Sequence, residues 1–290
     1  MFRGAITALA TPFINGQLDE DALRRIVRWQ IAEGINGLVP VGTTGESPTL
    51  SEAEHKRVIE ITAEETNKRI PVIAGAGSNN PVEAVEYSDH ALKSGADATL
   101  HVAGYYNRPN QAGLYEHYRF VHDNSELPIV VYNIPPRAIV GLEVETLAKL
   151  AELPRILGVK DATGDLTRPI RERALIQKPF SFLSGDDLTS VAYNAGGGHG
   201  CISVTSNIAP AKVAELHKLC LAGEFIQAQA LQDQLFTLHD ALFCEPSPAG
   251  VKYGMSLLGL CTDECRLPVM PLSDQSKQII KQAMMGLQLI

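Results

Sequence analysis

Lys160 lies at the end of an apolar run, ILGV at 156–159, and is followed by the polar turn DATG at 161–164. The run predicts a buried strand, so a lysine at its end is partly removed from water. Burial disfavours the ammonium form of a lysine and lowers its pKa from about 10.4 in water. The resulting neutral amine can attack a carbonyl carbon and form an imine. Most other lysines, such as Lys56, lie in polar helical stretches where a charged surface role is sufficient, so Lys160 is the candidate nucleophile.

Polar groups that can assist an amine follow other predicted strands. The turn GTTG at 42–45 combines accessible backbone N–H groups with two hydroxyls, and such a set can bind a carboxylate. Tyr132 is predicted one strand away from Lys160 and at the same height, where its phenol can move protons during imine formation. Arg137, in a proline-rich loop, suits bidentate binding of a carboxylate.

Each of these groups also has an ordinary structural interpretation. Threonines cap helices, tyrosines pack in cores with a hydrogen-bonded hydroxyl, and surface arginines are solvated. A lysine at the end of a strand can extend its ammonium into water. All of these groups are predicted at one rim of the sheet: one amine, one phenol, two hydroxyls and one guanidinium. This convergence favours the functional interpretation, because the structural interpretation would need a separate explanation for each group.

The elements that position these groups alternate along the chain. Apolar runs predict strands at 5–9, 38–41, 71–74, 98–102, 128–132, 156–160, 180–183 and 200–204. Amphipathic segments predict helices from about 18 and at 51–67, 81–93, 111–122, 143–151, 166–177, 188–194 and 210–221. Eight strand–helix units indicate an α/β fold, a (β/α)8 TIM barrel, rather than an open sheet. The loops after the strands meet at one mouth of such a barrel, where chemistry takes place.

The length and the composition suit one large catalytic unit with an extension. The chain has 290 residues, 45% of them hydrophobic, which is enough for a sizeable core. We predict a catalytic barrel at 1–222 and a C-terminal helical region of about three helices at 223–290. No linker rich in Pro, Gly or Ser separates the two, so we expect the extension to pack on the barrel.

The charge and the cysteines exclude several classes of protein. A net charge of −8 argues against nucleic acid and anionic membranes as partners. Five cysteines without a C-x-x-C pair and eight histidines without H-x-x-x-H spacing signal neither a disulfide framework nor a metal site. No apolar run reaches the roughly 20 residues that span a membrane. Pro12 interrupts the N-terminal apolar stretch too early for a signal peptide. We therefore expect a cytoplasmic protein without a metal.

Taken together, six motifs resemble those of the dihydrodipicolinate synthase family, within the pyruvate-dependent class I aldolases that include N-acetylneuraminate lyase. The resemblance runs from Ala5 to the C-terminal helices. It implies a lyase that condenses pyruvate with L-aspartate 4-semialdehyde in lysine and diaminopimelate biosynthesis, without a metal or organic cofactor. The motifs are GTTGE at 42–46, YYNRP at 105–109, YN-x-P at 132–135, GVKDATGDL at 158–166, LSGDD at 183–187 and GGHG-x-ISV at 197–204.

The resemblance also implies roles for individual residues. Lys160 would form the Schiff base with pyruvate, and Arg137 would bind the carboxylate of the semialdehyde. Tyr106 would reach in from a neighbouring subunit of a homotetramer built as a dimer of tight dimers. The proton relay would comprise Tyr132, Thr44 and Tyr106, and the pyruvate pocket would comprise Thr43, Thr44, Gly185 and Ile202.

A second site implied by the resemblance would bind lysine as a feedback inhibitor between the subunits of a tight dimer. Glu83 would pair with the ammonium of the ligand and His55 would hydrogen-bond to it, whereas the ordinary interpretation is an interface or a helix surface. The matching positions are His55, Gly77, Asn79, Glu83 and Tyr105.

The chain departs from the family pattern at several positions. Residues 102–104 read VAG where Thr-Pro is usual, and Ser247 and Gly250 replace Asn and Pro. In the lysine cleft, Pro48 and Glu52 replace Ala and His. The departure at 102–104 is expected to loosen the loop of Tyr106. The departures in the lysine cleft bear on the strength of lysine inhibition.

Two alternatives stay open at this point. One is an aldolase of the same superfamily that acts on a sugar acid such as N-acetylneuraminate or a keto-deoxy-gluconate. The other is a non-catalytic barrel that binds a small acid. The double threonine of GTTGE and Arg137 favour the synthase, because a small amino-acid aldehyde needs its carboxylate neutralised. A binding protein has no need of a nucleophilic amine.

Overall fold

The computed structural model describes residues 1–102 and 104–290, and its centre is a barrel of eight parallel strands. The sheet order is β4-β1-β10-β9-β8-β7-β6-β5, and a bridge between Leu38 and Val72 joins its two ends. A separate two-stranded hairpin, β2–β3, follows the first barrel strand. The strands are β1 (Gly4–Ala8), β2 (Phe13–Ile14), β3 (Gln17–Leu18), β4 (Gly37–Val39), β5 (Ile73–Gly75), β6 (Ala98–Val102), β7 (Ile129–Asn133), β8 (Ile156–Asp161), β9 (Ser181–Ser184) and β10 (Gly200–Ser203).

Helices lie between the barrel strands and after the last strand. Two short 3-10 turns occur at Ser47–Thr49 and Thr205–Asn207. The α-helices are α1 (Glu20–Ala32), α2 (Glu52–Thr66), α3 (Pro81–Lys93), α4 (Gln111–Asn124), α5 (Pro135–Ala138), α6 (Val144–Ala151), α7 (Arg168–Leu175), α8 (Ser190–Ala195), α9 (Pro210–Ala222), α10 (Phe225–Ala241), α11 (Ala249–Leu257) and α12 (Asp274–Gly286).

This architecture confirms the predicted (β/α)8 barrel and shows two elements that the sequence pattern did not predict. The β2–β3 hairpin has strands of two residues, too short for alternation to be visible, and it turns through Asn15 and Gly16 at φ of 51° and 79°. The segment predicted as a proline-rich loop contains the short helix α5, since two prolines are well suited to a first helical turn. Arg137 therefore lies on a helix rather than in a loop.

Alternation along the strands separates two layers of the core. On β7, Val130 and Tyr132 belong to one buried cluster, whereas Ile129 and Val131 belong to a second cluster. The second cluster also contains Tyr118 of α4, so it lies between sheet and helices. A parallel sheet buried on both faces requires such nearly continuous apolar strands.

The three C-terminal helices pack against the barrel and against one another. Leu235, Met255 and Met284, one from each of these helices, belong to the same buried cluster as Ile6 of β1. Residues before and after position 222 share one hydrophobic core. The predicted division into a barrel at 1–222 and a helical region at 223–290 therefore stays a prediction. Among the described residues, no helix is both long and apolar enough to pass through a bilayer.

Candidate active site

Lys160 and Tyr132 are neighbours in the barrel wall. They are paired in the register of β7 and β8, and Lys160 Nζ lies 4.2 Å from the centroid of the Tyr132 ring. Each residue is only 5% exposed. Gly185 directly follows β9, on the other side of β8, where an added Cβ would lie 3.1 Å from Lys160 Cε. The structure therefore brings these three predicted site residues together, and the glycine leaves room beside the lysine chain.

The amine of Lys160 has no ionic partner among the described residues. In the part of the chain that the structure describes, no carboxylate forms an ion pair with Nζ and no group accepts a hydrogen bond from it. Buried polar groups in folded proteins are nearly always hydrogen-bonded. An unpartnered amine inside a barrel mouth is therefore available to a ligand.

The GTTG turn places two more free donors near this mouth. Thr44 is buried and Thr43 is partly buried. Within residues 1–102 and 104–290, neither hydroxyl bonds to a protein group, whereas the nearby Thr11 hydroxyl donates to the Gly45 carbonyl at 2.7 Å. The two threonine hydroxyls can therefore serve a ligand, because the fold does not use them.

A small cavity connects the turn with the wall that carries Tyr132. Its volume is about 50 Å³, which is enough for a compact group such as a carboxylate and no more. Thr43 and Tyr132 both face it, and no hydrogen bond to a described residue engages the Tyr132 hydroxyl. The lining residues are Val41, Gly42, Thr43, Ser47, Gly75, Gly77, Leu100, Val102 and Tyr132.

The other predicted substrate residues have different surroundings. Ile202 is fully buried on β10, next to the β9 strand that Gly185 follows. Arg137 is exposed on α5, five positions after Tyr132, and no described carboxylate pairs with it. A free guanidinium beside the mouth can bind an anionic group of an incoming substrate.

Tyr106 does not contribute to the site of its own chain. It is 92% exposed and its backbone has a φ of 64°, so its loop directs the side chain away from the barrel. The loop is tied back through Asn107, whose side-chain amide donates to the Asn79 carbonyl at 2.8 Å. An exposed aromatic on an anchored loop is suited to contact another chain.

Most of the predicted effector residues follow β5 or β6 in the chain, whereas His55 lies on α2. The His55 ring stacks on the Tyr87 ring with centroids 4.0 Å apart, and burial lowers the pKa of His55 to about 4. The Ser78 hydroxyl donates to Glu83 Oε2 at 2.5 Å. Gly77 borders the active-site cavity, so the two predicted sites share a wall.

A fully buried ion pair beside the turn was not predicted from the sequence. Lys252 and Glu46 are 0% and 4% exposed, and Lys252 Nζ lies 2.5 Å from Glu46 Oε1. Lys252 is therefore a second buried lysine beside Lys160, and it is not one of the lysines with a charged surface role. Lys252 follows Gly250 and Val251, an apolar context that signals burial, but its partner is distant in the chain and only the fold brings the two together.

An acidic cluster lies behind β8, on the side away from the barrel interior. Arg168 of α7 lies 3.5 Å from Asp161 and 2.7 Å from Glu172, so one guanidinium serves two buried carboxylates. Burial raises the pKa of both carboxyls, that of Glu172 to about 7. The buried Tyr193 hydroxyl has no hydrogen-bond partner among the described residues.

Metal binding was not expected from the sequence. Among the described residues, no group of three or more His, Cys, Asp or Glu side chains gathers in a way that could hold an ion. A metal-free reaction accordingly stays a prediction.

Comparison with known proteins identifies the family. A family model described as the dihydrodipicolinate synthetase family matches residues 1–286. The chain belongs to this family. It is 53% identical over 283 residues to a 4-hydroxy-tetrahydrodipicolinate synthase of Rhodopseudomonas palustris (strain BisA53), with 98% of this chain and 96% of the relative covered. The predicted family and the predicted class of enzyme, a lyase, are confirmed.

Two solved structures of the family resemble the fold closely. One is the chloride-inhibited dihydrodipicolinate synthase of Acinetobacter baumannii in complex with pyruvate, with 41% identity, a TM-score of 0.98 and 100% of both chains covered. The other is the enzyme of Cyanidioschyzon merolae with lysine bound, with 32% identity, a TM-score of 0.96, and 100% of this chain and 99% of that chain covered.

The departures from the family pattern have different structural settings. Of the segment 102–104, Ala103 lies outside the described residues. At Gly250, an added Cβ would lie 2.6 Å from the Leu242 carbonyl oxygen, so the local packing requires glycine. Glu52 accepts a hydrogen bond from Lys56 at 2.5 Å in the first turn of α2. Nothing in the structure explains Ser247.

Proposed function

We propose that this chain condenses pyruvate with L-aspartate 4-semialdehyde, the reaction of a 4-hydroxy-tetrahydrodipicolinate synthase, with Lys160 as the nucleophile. The observation that carries the proposal is the buried amine, which has no partner among the described residues and lies over the ring of Tyr132, a residue that lines one cavity together with Thr43. Family membership supports the reaction, and the geometry supports the roles of the residues.

The first half of the reaction forms a covalent intermediate. The amine of Lys160 attacks the keto carbon of pyruvate and water leaves, which gives an imine that carries the nitrogen of Lys160. Loss of a methyl proton converts the imine to an enamine. Tyr132, whose ring lies 4.2 Å from Lys160 Nζ, is the group placed to move these protons. Thr43 and Thr44 hold the pyruvate carboxylate through hydroxyl and backbone donors.

The second half joins the two substrates. The enamine carbon attacks the aldehyde carbon of the semialdehyde, which leaves a hydroxyl group on the new chain. The amino group of the semialdehyde then attacks the imine carbon and expels the amine of Lys160, so the ring closes and the enzyme is regenerated. Arg137 neutralises the carboxylate of the semialdehyde during this step. The balance is one water released for each heterocycle formed.

Reduction with borohydride in the presence of pyruvate tests the covalent step. We expect the reduced pyruvate adduct on Lys160, found by mass of the intact chain and of the peptide. Lys160→Ala is expected to lose the adduct and nearly all turnover. An unmodified wild-type chain after this treatment would remove the basis for the proposal.

Arg137 separates the synthase from an aldolase that acts on a sugar acid. Arg137→Gln is expected to raise the KM for the semialdehyde about 10-fold or more, since a carboxylate loses its charged partner, and to leave adduct formation with pyruvate unchanged. An unchanged KM would favour a substrate without a carboxylate at this position.

Assembly and location are also proposals. A homotetramer built from tight dimers is supported by the 92% exposed Tyr106, which would complete the proton relay in the neighbouring subunit. A cytoplasmic location is supported by the five cysteines, which are all free. The masses of the complex in dilute and in concentrated solution test the assembly.

Lysine is the proposed feedback inhibitor, and the lysine-bound relative supports this assignment. Glu83 would pair with an ammonium of lysine, and His55 is neutral at pH 7 because burial lowers its pKa to about 4, so it would serve as a hydrogen-bonding group. Glu83→Gln is expected to weaken inhibition by lysine about 10-fold and to leave the uninhibited rate unchanged. Equal inhibition of both proteins would contradict this site.

A further inference from the structure

The carboxylate-binding turn is held from outside the barrel strands. Glu46 is the last residue of GTTGE, directly after the turn that carries Thr43 and Thr44, and is 4% exposed. Its Oε1 accepts a hydrogen bond from Lys252 Nζ at 2.5 Å, and its Oε2 accepts one from the Arg266 backbone N–H at 2.9 Å. Both donors belong to the C-terminal region, more than 200 positions away in the sequence.

The backbone explains why the turn needs such a hold. Val41, before the turn, and Glu46, after it, have φ values of 50° and 55°. Left-handed backbone is unfavourable for residues with a Cβ, above all for β-branched valine. Such a conformation persists only where the surroundings fix it. The Glu46 side chain, held at both oxygens, supplies that constraint at one end of the turn.

The cations around Glu46 are themselves fixed. Lys252 Nζ also donates to the Glu264 carbonyl at 2.7 Å and lies 3.9 Å from the centroid of the Phe13 ring. The Arg266 guanidinium lies 4.2 Å from the same ring and donates to the Thr49 carbonyl at 2.9 Å. The Arg266 guanidinium also pairs with Glu54 at 2.5 Å, so the side chain of Lys252 and the backbone of Arg266, the two donors to Glu46, are each held by further contacts.

We infer that Lys252 is a positioning residue for the reaction, which acts through Glu46 to hold the 42–45 turn in the shape that receives the pyruvate carboxylate. The inference rests on the proposed function, because it takes Thr43 and Thr44 as the carboxylate site. It gives the C-terminal helices a role in substrate binding in addition to their role in the core.

The test separates positioning from general stability through the two substrates. Lys252→Met removes the cation at similar length, and Glu46→Gln, combined with it, removes the stranded carboxylate. We expect both the single and the double variant to raise the KM for pyruvate about 10- to 100-fold, because a misplaced turn binds the carboxylate poorly. The KM for the semialdehyde and the kcat at saturating pyruvate are expected to change less than about threefold.

A matched control loses stability without touching the turn. Leu235 is fully buried on α10, and Leu235→Ala is expected to destabilise the C-terminal helices while the KM for pyruvate stays within about twofold. If Lys252→Met alone does not fold, the double variant with Glu46→Gln keeps the test possible, because it buries no unpaired charge.

Outcomes of this test are distinct from failure of the proposed function. Wild-type protein that forms no borohydride adduct with pyruvate would overturn the proposed function itself. Wild-type adduct together with an unchanged pyruvate KM in the folded double variant would overturn the role of Lys252. Equal loss of affinity for both substrates would also overturn it, since the turn is assigned to pyruvate alone.

Discussion

Two lysines are buried in the part of the chain that the structure describes, and their surroundings differ in one respect. Lys160 is 5% exposed and Lys252 is 0% exposed. Each Nζ lies over an aromatic ring, at 4.2 Å from Tyr132 and at 3.9 Å from Phe13. Lys252 has a carboxylate, Glu46, at 2.5 Å, whereas Lys160 has no ionic partner in residues 1–102 and 104–290.

The difference assigns a role to each lysine. An ammonium that donates to a carboxylate and a carbonyl has no free lone pair, so Lys252 serves to hold other residues in place. A buried amine that no described group binds, over the ring of a tyrosine, can attack a carbonyl carbon, which is the role proposed for Lys160. Burial alone therefore does not separate the two lysines, whereas the presence or absence of an ionic partner among the described residues does.

The largest expected contrast is in stability. Lys252→Met leaves the buried Glu46 carboxylate without its cation, and we expect a loss of about 3–5 kcal/mol in the free energy of unfolding. Lys160→Met removes an amine that no described group binds, so a change within about 1 kcal/mol is expected. Urea unfolding of both variants beside the wild type gives the two values. If both variants lose stability equally, Lys160 has a structural partner and the comparison fails.

A second prediction uses the two aromatic rings, which differ by a hydroxyl. Tyr132→Phe makes the ring beside Lys160 equivalent to the Phe13 ring beside Lys252. The packing is kept, but proton transfer during imine formation loses its group, so kcat is expected to fall about 10²- to 10⁴-fold. The borohydride adduct with pyruvate should still form, more slowly. Turnover close to that of the wild type would show that another group moves the proton.

The sequence predicted the positions of candidate site residues correctly where a reactive side chain lies near the end of a recognisable apolar strand. Lys160 and Tyr132 were predicted at the ends of neighbouring strands, and the structure places each of them one residue before the end of its strand, in paired register. Element type could be predicted for the barrel because a short apolar run marks each strand, even where a polar residue such as Thr7 or His101 interrupts it. The boundaries shifted, as at β4, which is shorter than the predicted 38–41.

The remaining features depend on contacts between distant segments. Lys252 lies on a helix with apolar neighbours, and its partner Glu46 is 206 positions away, a pairing that no local pattern encodes. Tyr106 is exposed in its own chain, so its proposed role depends on assembly, which a single sequence does not show. The roles that came from the family resemblance, such as that of Gly185, had no signal in composition or periodicity.

The comparison of paired and unpaired groups extends to carboxylates. Glu46 has a cation of its own, whereas Asp161 and Glu172 share the single guanidinium of Arg168. Asp161 directly follows Lys160 on β8 and points to the opposite face, so the cluster forms the backing of the catalytic strand. Burial raises the pKa of Glu172 to about 7, because one arginine does not offset the loss of water around two acids.

The last prediction follows from that pKa and has the smallest expected effect. The folded-state pKa of Glu172 is about 7, against 4.5 for the unfolded chain. Between these values the unfolded chain releases a proton that the folded chain keeps, so this group lowers stability progressively as the pH rises from 4.5 to about 7.

Glu172→Gln removes this titration and leaves a neutral side chain of the same shape. Relative to the wild type, the variant should become more stable across that pH interval, by on the order of 1–3 kcal/mol, and the difference should be constant at higher pH. Urea unfolding at a series of pH values measures it, with the surface variant Glu215→Gln as control, because Glu215 is 48% exposed in its pair with Lys218. A difference that does not vary with pH would mean that Arg168 neutralises Glu172 as completely as Lys252 neutralises Glu46. In that case, the contrast between a carboxylate with its own cation and two that share one would not hold.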